Sequence, residues 1–522
     1  MKLNRKQSRR WLKWGLACLL VLGIFFRFLN LDRKIYWHDE VVTSLRIAGY
    51  TGSELIAENF TGQVRSVSDL QKYQQFTPEK KLKDLIRSLA IEDPQHPPLY
   101  YIIARFWAQL FGSSVAVNRA LVALMSLLIF PGLYWLSMEL WSSPRVGYFA
   151  MALISVSPIH ILYAQEARQY TLGLVMTVFS TVALLRAMRR QTFASWVVYI
   201  ASVIFGFYTF LFSALVTIGH GLYVGLLENL RWTKTVRAYL ISAIVSSLCC
   251  LPWVLVVVFN WSAFKAGSSW TTEPISLSDL VGSWLFNSSA IFIDFGIPWN
   301  PLYRQIVFPI TLILITYTIY YLRRYTPRHV WLLIVLLTTI TPLFLIVPDI
   351  ISGGQRSVST RYLMPYYLGV QLAISILLSD KFSQKGNTSR IWQGITVGIL
   401  IFGIISCTVS AQAQVWWHRI VGLNNLQIAQ IVNQTEQPLL ISPFRGSNTA
   451  NILALSYLLD PKVKFQLVLD PNIPKIPVGF SDVFLFHPSE GLQIGIEDNY
   501  QAEIESVLGS SLLTVEVPEQ DK

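Results

Sequence analysis

Apolar runs of bilayer length recur along this chain and leave it few folds to choose from. A stretch of about 20 residues with few or no charges crosses the ~30 Å hydrocarbon layer as a helix, which satisfies its own backbone polar groups without water. Such runs stand at residues 14–31, 120–138, 146–163, 167–185, 239–259, 305–322, 330–347, 362–378 and 391–410. Residues 195–230 form another, too long for one crossing and set between the basic loops Arg186/Arg189/Arg190 and Arg231/Lys234/Arg237, so it reads as two helices. The expectation is a polytopic α-helical membrane protein with about 11 transmembrane helices. Side chains that are 53% hydrophobic and 14% charged exclude an ordinary soluble protein.

Charge placement sets the expected topology. The N-terminus carries Lys2, Arg5, Lys6, Arg9, Arg10 and Lys13 without an acid, and no small-residue cleavage site follows the first run, so that run reads as a retained anchor. The basic loops above, with Arg323/Arg324/Arg328 and Lys381/Lys385/Arg390, fall on one side when crossings are counted. By the positive-inside tendency that side is the cytoplasm. The excess of 42 basic over 30 acidic residues is thus a topology signal, and no nucleic acid is implied. The run 97–111 has Arg105 near its middle, at a cost of about 2.5–3.5 kcal/mol in a spanning helix, so it is placed in the interface or as a short re-entrant piece. The result is a multi-pass protein of the plasma (inner) membrane, N-terminus cytoplasmic, with residues 32–112, 260–304 and everything after 412 facing out. Cys18, Cys249, Cys250 and Cys407 lie mostly inside apolar runs, with neither metal-like spacing nor a disulfide framework.

Beyond residue 411 the pattern changes. Apolar runs shorten to strand length at 438–441, 463–469 and 483–486, with a helix-like stretch at 449–459, which predicts a small α/β domain outside the membrane. It has no Gly-rich phosphate loop and no catalytic constellation, so its expected role is accessory.

Chemistry is sought where charges sit beside the bilayer, because desolvated charge there needs a purpose or a partner. Four clusters qualify. Trp37-His38-Asp39-Glu40 follows the first run; its adjacent carboxylates suit a general base or oxygen-type metal ligands, and equally an acidic helix cap beside an interfacial aromatic. Gln95-His96-Pro97-Pro98-Leu99-Tyr100-Tyr101 opens a helix, as Pro favours, and His96 either caps it or meets a phosphate or acceptor. In Glu166-Ala167-Arg168-Gln169-Tyr170, Arg168 and Glu166 either pair at a helix start, or Arg168 holds a phosphate while Glu166 binds a metal or sugar. The loop 352–362 combines Gly353, Gly354, hydroxyls, Arg356, Arg361 and Tyr362, a set of backbone and side-chain donors suited to an anion.

Together these clusters resemble the membrane glycosyltransferases of the GT-C superfamily, nearest to glycosyltransferase family 39, which includes protein O-mannosyltransferases and the aminoarabinose transferases of lipid A. The residues carrying the likeness are Trp37-x-Asp39-Glu40, His96-Pro97-Pro98-Leu99-Tyr100-Tyr101, Ser157-Pro158 with Glu166-Ala167-Arg168-x-Tyr170, and Arg361-Tyr362-Leu363, over roughly residues 11–380. Where the aminoarabinose transferases carry a Lys before the double proline, this chain has Gln95-His96, which argues against lipid A phosphate as acceptor.

The resemblance implies a GT-C type transmembrane catalytic domain over residues 1–410, with outer loops 32–112, 260–304 and 349–361, followed by the extracytoplasmic α/β accessory domain 411–522. It implies an inverting transfer of a sugar from a polyprenyl-phosphate donor to a lipid, glycan or protein acceptor. Asp39, with Glu40, is then the expected catalytic group. Arg168, Tyr170, Arg356 and Arg361 are expected on the donor phosphate, and Trp37, His96, Tyr100 and Tyr362 at substrate or acceptor; Lys265, in the outer loop 260–304, is either a further donor or acceptor contact or a solvated loop charge. A divalent cation on Asp39, Glu40 and Glu166 stays open, since nothing in the spacing requires it. Two other classes stay in view: a flippase or transporter of lipid-linked sugars, and a surface-polysaccharide ligase or polymerase using a diphosphate carrier.

Overall fold

The computed structural model describes residues 5–516 apart from 385, 420 and 447, with side chains from Lys13 onward. Lys2 and Lys385, the side chains of Arg5, Lys6, Arg9 and Arg10, and the last six residues of the expected C-terminal domain lie outside the described residues. By packing, the chain divides into two units, one of residues up to 31, 93–100 and 118–413, the other of residues 32–92, 101–117 and 414 onward.

Helices built from the apolar runs make up the first unit. Among the described residues seven are long and apolar enough to cross a membrane: Val115–Trp141, Tyr170–Arg190, Lys234–Phe259, Tyr303–Tyr325, Arg328–Ser352, Thr360–Lys381 and Asn387–Gln412. The run 195–230 is two shorter helices, Phe193–Thr209 and Ser213–Leu227. The chain is thus a polytopic helical membrane protein, opened by the helix Arg5–Phe28.

The run 146–163, read from sequence as one span, is instead two helices, Pro144–Ser155 and Pro158–Ala164, bent by 66°. Pro158 is the cause. It has no N–H for the carbonyl of Ile154, and its ring disfavours helical geometry in the residue before it. Freed carbonyls inside a bilayer need donors, and Arg27 supplies them from the first helix: Nη2 donates to Ile154 O at 3.1 Å and Nη1 to Ser155 O at 3.2 Å. It also donates to Ser126 Oγ at 3.1 Å and Gly23 O at 2.9 Å and lies 4.9 Å from the centroid of the Phe130 ring. Glycines permit the approach, since a Cβ at Gly23 would stand 2.5 Å from Ser155 O and one at Gly403 2.5 Å from Val156 O. Beyond the break, Ser157 Oγ donates to Ile291 O at 2.7 Å, and Gln165 Nε2 reaches back to cap the first helix at Phe26 O and Leu29 O (2.7 and 2.8 Å). The segment from Ser157 to Gln165 is therefore held at both ends before the turn 165–169 leads into the helix Tyr170–Arg190.

A six-stranded sheet forms the centre of the second unit: β1 (Val64–Ser66), β2 (Pro438–Pro443), β3 (Lys464–Val468), β4 (Asp482–Phe486), β5 (Glu503–Leu508) and β6 (Leu512–Glu516), in the order β1-β3-β2-β4-β6-β5. β2 runs parallel to both β3 and β4 and is buried throughout, as expected for a strand covered on two faces. β1 comes from far upstream and pairs antiparallel with β3, Val64 opposite Gln466. The core is Leu439, Ile441, Leu485, Leu492, Ile496 and their neighbours.

Buried charges in this unit have assigned partners. Arg105 donates from Nη1 to Ile47 O and Ala48 O at 2.8 and 3.1 Å, and from Nη2 to Lys80 O. It thereby caps the helix His38–Ala48, which ends at Gly49 with φ 92°. The helix carrying it, Leu99–Phe111, has 13 residues, or about 20 Å, and is too short to cross a bilayer. Glu92 accepts from Arg46 at 2.6 Å and from the amides of Gly52 and Ser53 at 2.7 and 3.1 Å. Burial pushes its carboxyl up, but these donors outweigh burial and hold it below the usual range. Glu40 is wholly buried against Arg419 Nη1 at 3.4 Å, and the same guanidinium donates to Ile35 O.

Replacing Arg27 by Met is expected to cost about 2–5 kcal/mol of unfolding free energy, because two buried carbonyls lose donors worth about 1–3 kcal/mol each. Adding Pro158→Ala, which returns an N–H to Ile154 O, should recover part of it in the same denaturation measurement, while Arg190→Met on the exposed surface should change nothing. In the second unit, Arg419→Met is expected to cost about 3–5 kcal/mol by taking a guanidinium from beside the buried Glu40 carboxylate, and Glu40→Leu added to it to restore part of that stability in a double-mutant cycle.

Candidate functional site

Within the first unit the residues expected to act on a phosphate converge around one tyrosine ring. The Arg168 guanidinium lies 5.5 Å from the centroid of the Tyr170 ring, and that of Arg361 lies 6.0 Å from the same centroid. Arg168 and Tyr170 are buried, at the point where the turn 165–169 enters the helix Tyr170–Arg190. Arg168 Nη2 donates to Tyr170 Oη at 3.1 Å and meets His96 Nε2 at 3.0 Å.

Arg361 sits on the 3₁₀ turn Thr360–Leu363, beside three rings: Trp270 at 5.0 Å, Tyr362 at 5.6 Å and Tyr170. The face of each ring is electron-rich, so the cage holds the cation in place. Further rings fix the cage. Tyr362 packs against Phe212 at 4.9 Å and Phe210 at 6.4 Å, Tyr170 against Phe210 at 5.6 Å, and Tyr163 hydrogen-bonds Thr360.

The glycine-rich loop before Arg361 encloses an anion of its own. Asp349, buried at the end of the helix Arg328–Ser352, accepts from the backbone N–H of Arg356 at 3.1 Å and of Ser357 at 2.7 Å. It also accepts from Ser357 Oγ at 2.7 Å and from Arg356 Nη1 at 2.9 Å. Arg356, expected on a phosphate, has its Nη1 engaged by this pair and by Gly353 O at 2.9 Å. Gly354 has φ 128° and no room for a side chain, since a Cβ would lie 2.8 Å from Thr271 O and 2.9 Å from Asp349 Oδ1. The loop holds Trp270 where Arg361 needs it: Gln355 donates from N to Thr271 O at 2.8 Å and from Nε2 to Trp270 O at 3.0 Å.

Other expected residues are placed differently. Glu166 is buried in the turn 165–169, where its carbonyl accepts from Arg168 N at 2.7 Å. Tyr100 is buried, and Lys265 is exposed on the short helix Trp261–Ser268. Trp37, Asp39 and Glu40 belong to the second unit. There Asp39 lies in the first turn of the helix His38–Ala48, its carboxylate 3.3 Å from His38 Nδ1, and Trp37 packs edge-on against His418 at 5.9 Å. Glu40 is held by Arg419, as described above. Among the described residues no group of three or more His, Cys, Asp or Glu side chains is placed to hold a metal ion.

Sequence reasoning passed over Asp349, Trp270 and Arg419. Asp349 closes an apolar run and Trp270 stands in an ordinary loop, so neither carries a local signal. Trp416-Trp417-His418-Arg419 is an unusual string that deserved more weight.

Comparison with known proteins bears on the fold. The family described as dolichyl-phosphate-mannose-protein mannosyltransferase matches residues 95–255, the stretch that contains His96, Arg168 and Tyr170. No curated protein matches the sequence. Among solved structures, ArnT from Cupriavidus metallidurans bound to undecaprenyl phosphate is similar with a TM-score of 0.51 at 12% identity over 97% of each chain. Its apo form gives 0.52 at 13% identity over 97% of this chain and 98% of that one. The oligosaccharyltransferase AglB from Archaeoglobus fulgidus, in complex with an inhibitory peptide and a dolichol-phosphate, gives 0.51 at 10% identity over 99% of this chain and 75% of that one. At such identities the likeness is one of fold. The chain therefore carries the fold of the GT-C membrane glycosyltransferases and, through the matched segment around its double proline and the Glu166 to Tyr170 turn, resembles glycosyltransferase family 39.

Proposed function

We propose that this protein is an inverting glycosyltransferase that moves a sugar from a polyprenyl-phosphate donor to a hydroxyl of a lipid, glycan or protein acceptor, on the outer face of the plasma (inner) membrane, with its N-terminus in the cytoplasm. The observation that carries the reading is the pair of guanidiniums, Arg168 and Arg361, held around the Tyr170 ring. Two fixed cations suit a donor phosphodiester that gains charge as it leaves as the polyprenyl phosphate monoester, and further support comes from the undecaprenyl phosphate and dolichol-phosphate bound to the two similar structures.

In the proposed reaction the acceptor oxygen attacks the anomeric carbon as the bond from that carbon to the phosphate oxygen breaks. The electron pair leaves with the phosphate, and the acceptor proton passes to Asp39. Arg168 and Arg361 stabilise the charge that gathers on the departing phosphate, because preorganised donors act most strongly where water is excluded. Asp39 serves as general base, a role worth about 10²- to 10⁴-fold in rate. Arg356 and Asp349 keep the loop that carries Arg361 in shape. Outer-face chemistry follows from the basic loops assigned to the cytoplasm, and fits a lipid-linked donor in place of a nucleotide sugar.

The test is transfer by the protein in lipid nanodiscs, offered either a monosaccharide on polyprenyl monophosphate or an oligosaccharide on polyprenyl diphosphate. Transfer is expected from the monophosphate donor; turnover of the diphosphate donor alone would make the protein a ligase or polymerase. Arg168→Ala and Arg361→Ala should each weaken donor affinity about 10- to 100-fold, the worth of one charge-assisted hydrogen bond. Asp39→Asn should lower kcat by about 10²-fold or more with normal expression and membrane insertion, and an active variant would remove Asp39 as base.

A further inference from the structure

The contact between His96 and Arg168 fixes the protonation of the imidazole. A guanidinium has five donors and no acceptor. Nη2 of Arg168, 3.0 Å from Nε2 of His96, therefore requires a lone pair on Nε2. The ring is then neutral, with its proton on Nδ1, and Nδ1 is the nitrogen that faces the Asp93 carboxylate, at 3.9 Å. With one N–H of Nη2 turned to His96 and the other to Tyr170 Oη at 3.1 Å, both hydrogens of that nitrogen serve to orient the guanidinium.

The turn that carries His96 is stiff. His96 N donates to Asp93 O at 2.9 Å, and Gln95 Nε2 donates to Asp93 Oδ1 at 3.1 Å. Pro94 O accepts from Trp253 Nε1 at 3.1 Å, which fastens the turn to the helix Lys234–Phe259. Gln95 fills the space over Gly267, where a Cβ would come within 2.5 Å of its amide nitrogen. Pro97 and Pro98 follow and restrict the backbone on the other side.

We infer that His96 is a positioning residue for Arg168, and that Asp93 positions His96 in turn by favouring the Nδ1–H tautomer. His96 accepts from the guanidinium and so holds its plane. A second-layer acceptor of this kind keeps a long, flexible cation in one orientation before an anion arrives, which lowers the ordering cost of binding. The inference rests on the reading of Arg168 as a ligand of the donor phosphate for its functional consequence, but not for its chemistry.

Two experiments separate the two claims. In the transfer assay, His96→Phe removes the lone pair and is expected to raise the donor KM about tenfold or more. The acceptor KM should be unchanged. His96→Gln offers a carbonyl oxygen in its place and should keep the donor KM within about threefold of wild type, and Asp93→Asn should fall between the two. A shift in acceptor KM instead of donor KM, or a His96→Gln variant as impaired as His96→Phe, would overturn the inference. Independently of turnover, ¹⁵N NMR of the His-labelled full-length protein, with His96→Gln used to assign the signal, should report a neutral ring protonated on Nδ1. A ring protonated on Nε2 would sink the positioning role whatever Arg168 binds. Donor affinity untouched by Arg168→Ala, with the Nδ1–H tautomer intact, would sink the proposed role of Arg168 and leave the hydrogen bond standing.

Discussion

One guanidinium inside the helical bundle carries much of what lies around it. Pro158 breaks a helix that must remain in the membrane, and the carbonyls it releases cannot turn to water there. Arg27 answers both Ile154 and Ser155, and Gly23 lets the first helix come close enough for it to do so. The charge is costly in such a place, yet the hydrogen bonds it makes offset the cost while sparing the backbone. The bend that results sends the chain into the turn 165–169, and that turn delivers Arg168 and Tyr170 to the same place as Arg361.

The same logic recurs at the glycine-rich loop. Backbone N–H groups, a serine and an arginine that gather around an anion look from sequence like a phosphate site. The anion they gather around is Asp349, which the chain supplies. The loop's contribution to a site is therefore indirect. It fixes the ring of Trp270 and the turn bearing Arg361, and the aromatic cage does the rest.

What was legible in the sequence was local. Long apolar runs announce helices because hydropathy over about 20 residues needs no knowledge of partners. The strands at 438–441, 463–469 and 483–486 correspond to β2, β3 and β4. The convergence of His96, Arg168 and Arg361 could be suspected only from motif order, since 72 residues separate the first two and 193 the last two. Arg27 stood unmarked inside an apolar run, because its purpose, two carbonyls about 130 residues away, is a tertiary fact. β1, three residues long, is too short to show an alternating pattern, and only its partner makes it a strand.

That partner sets a timetable. β1 cannot find β3 until about 400 further residues have been synthesised, which at roughly 5–20 residues per second takes about 20–80 s. During this interval the early segment has no sheet to join, and most of the membrane helices are made in the meantime. This edge of the sheet is supplied by one of the earliest pieces made, so a ribosome that stops short of β3 leaves β1 without the strand it pairs with.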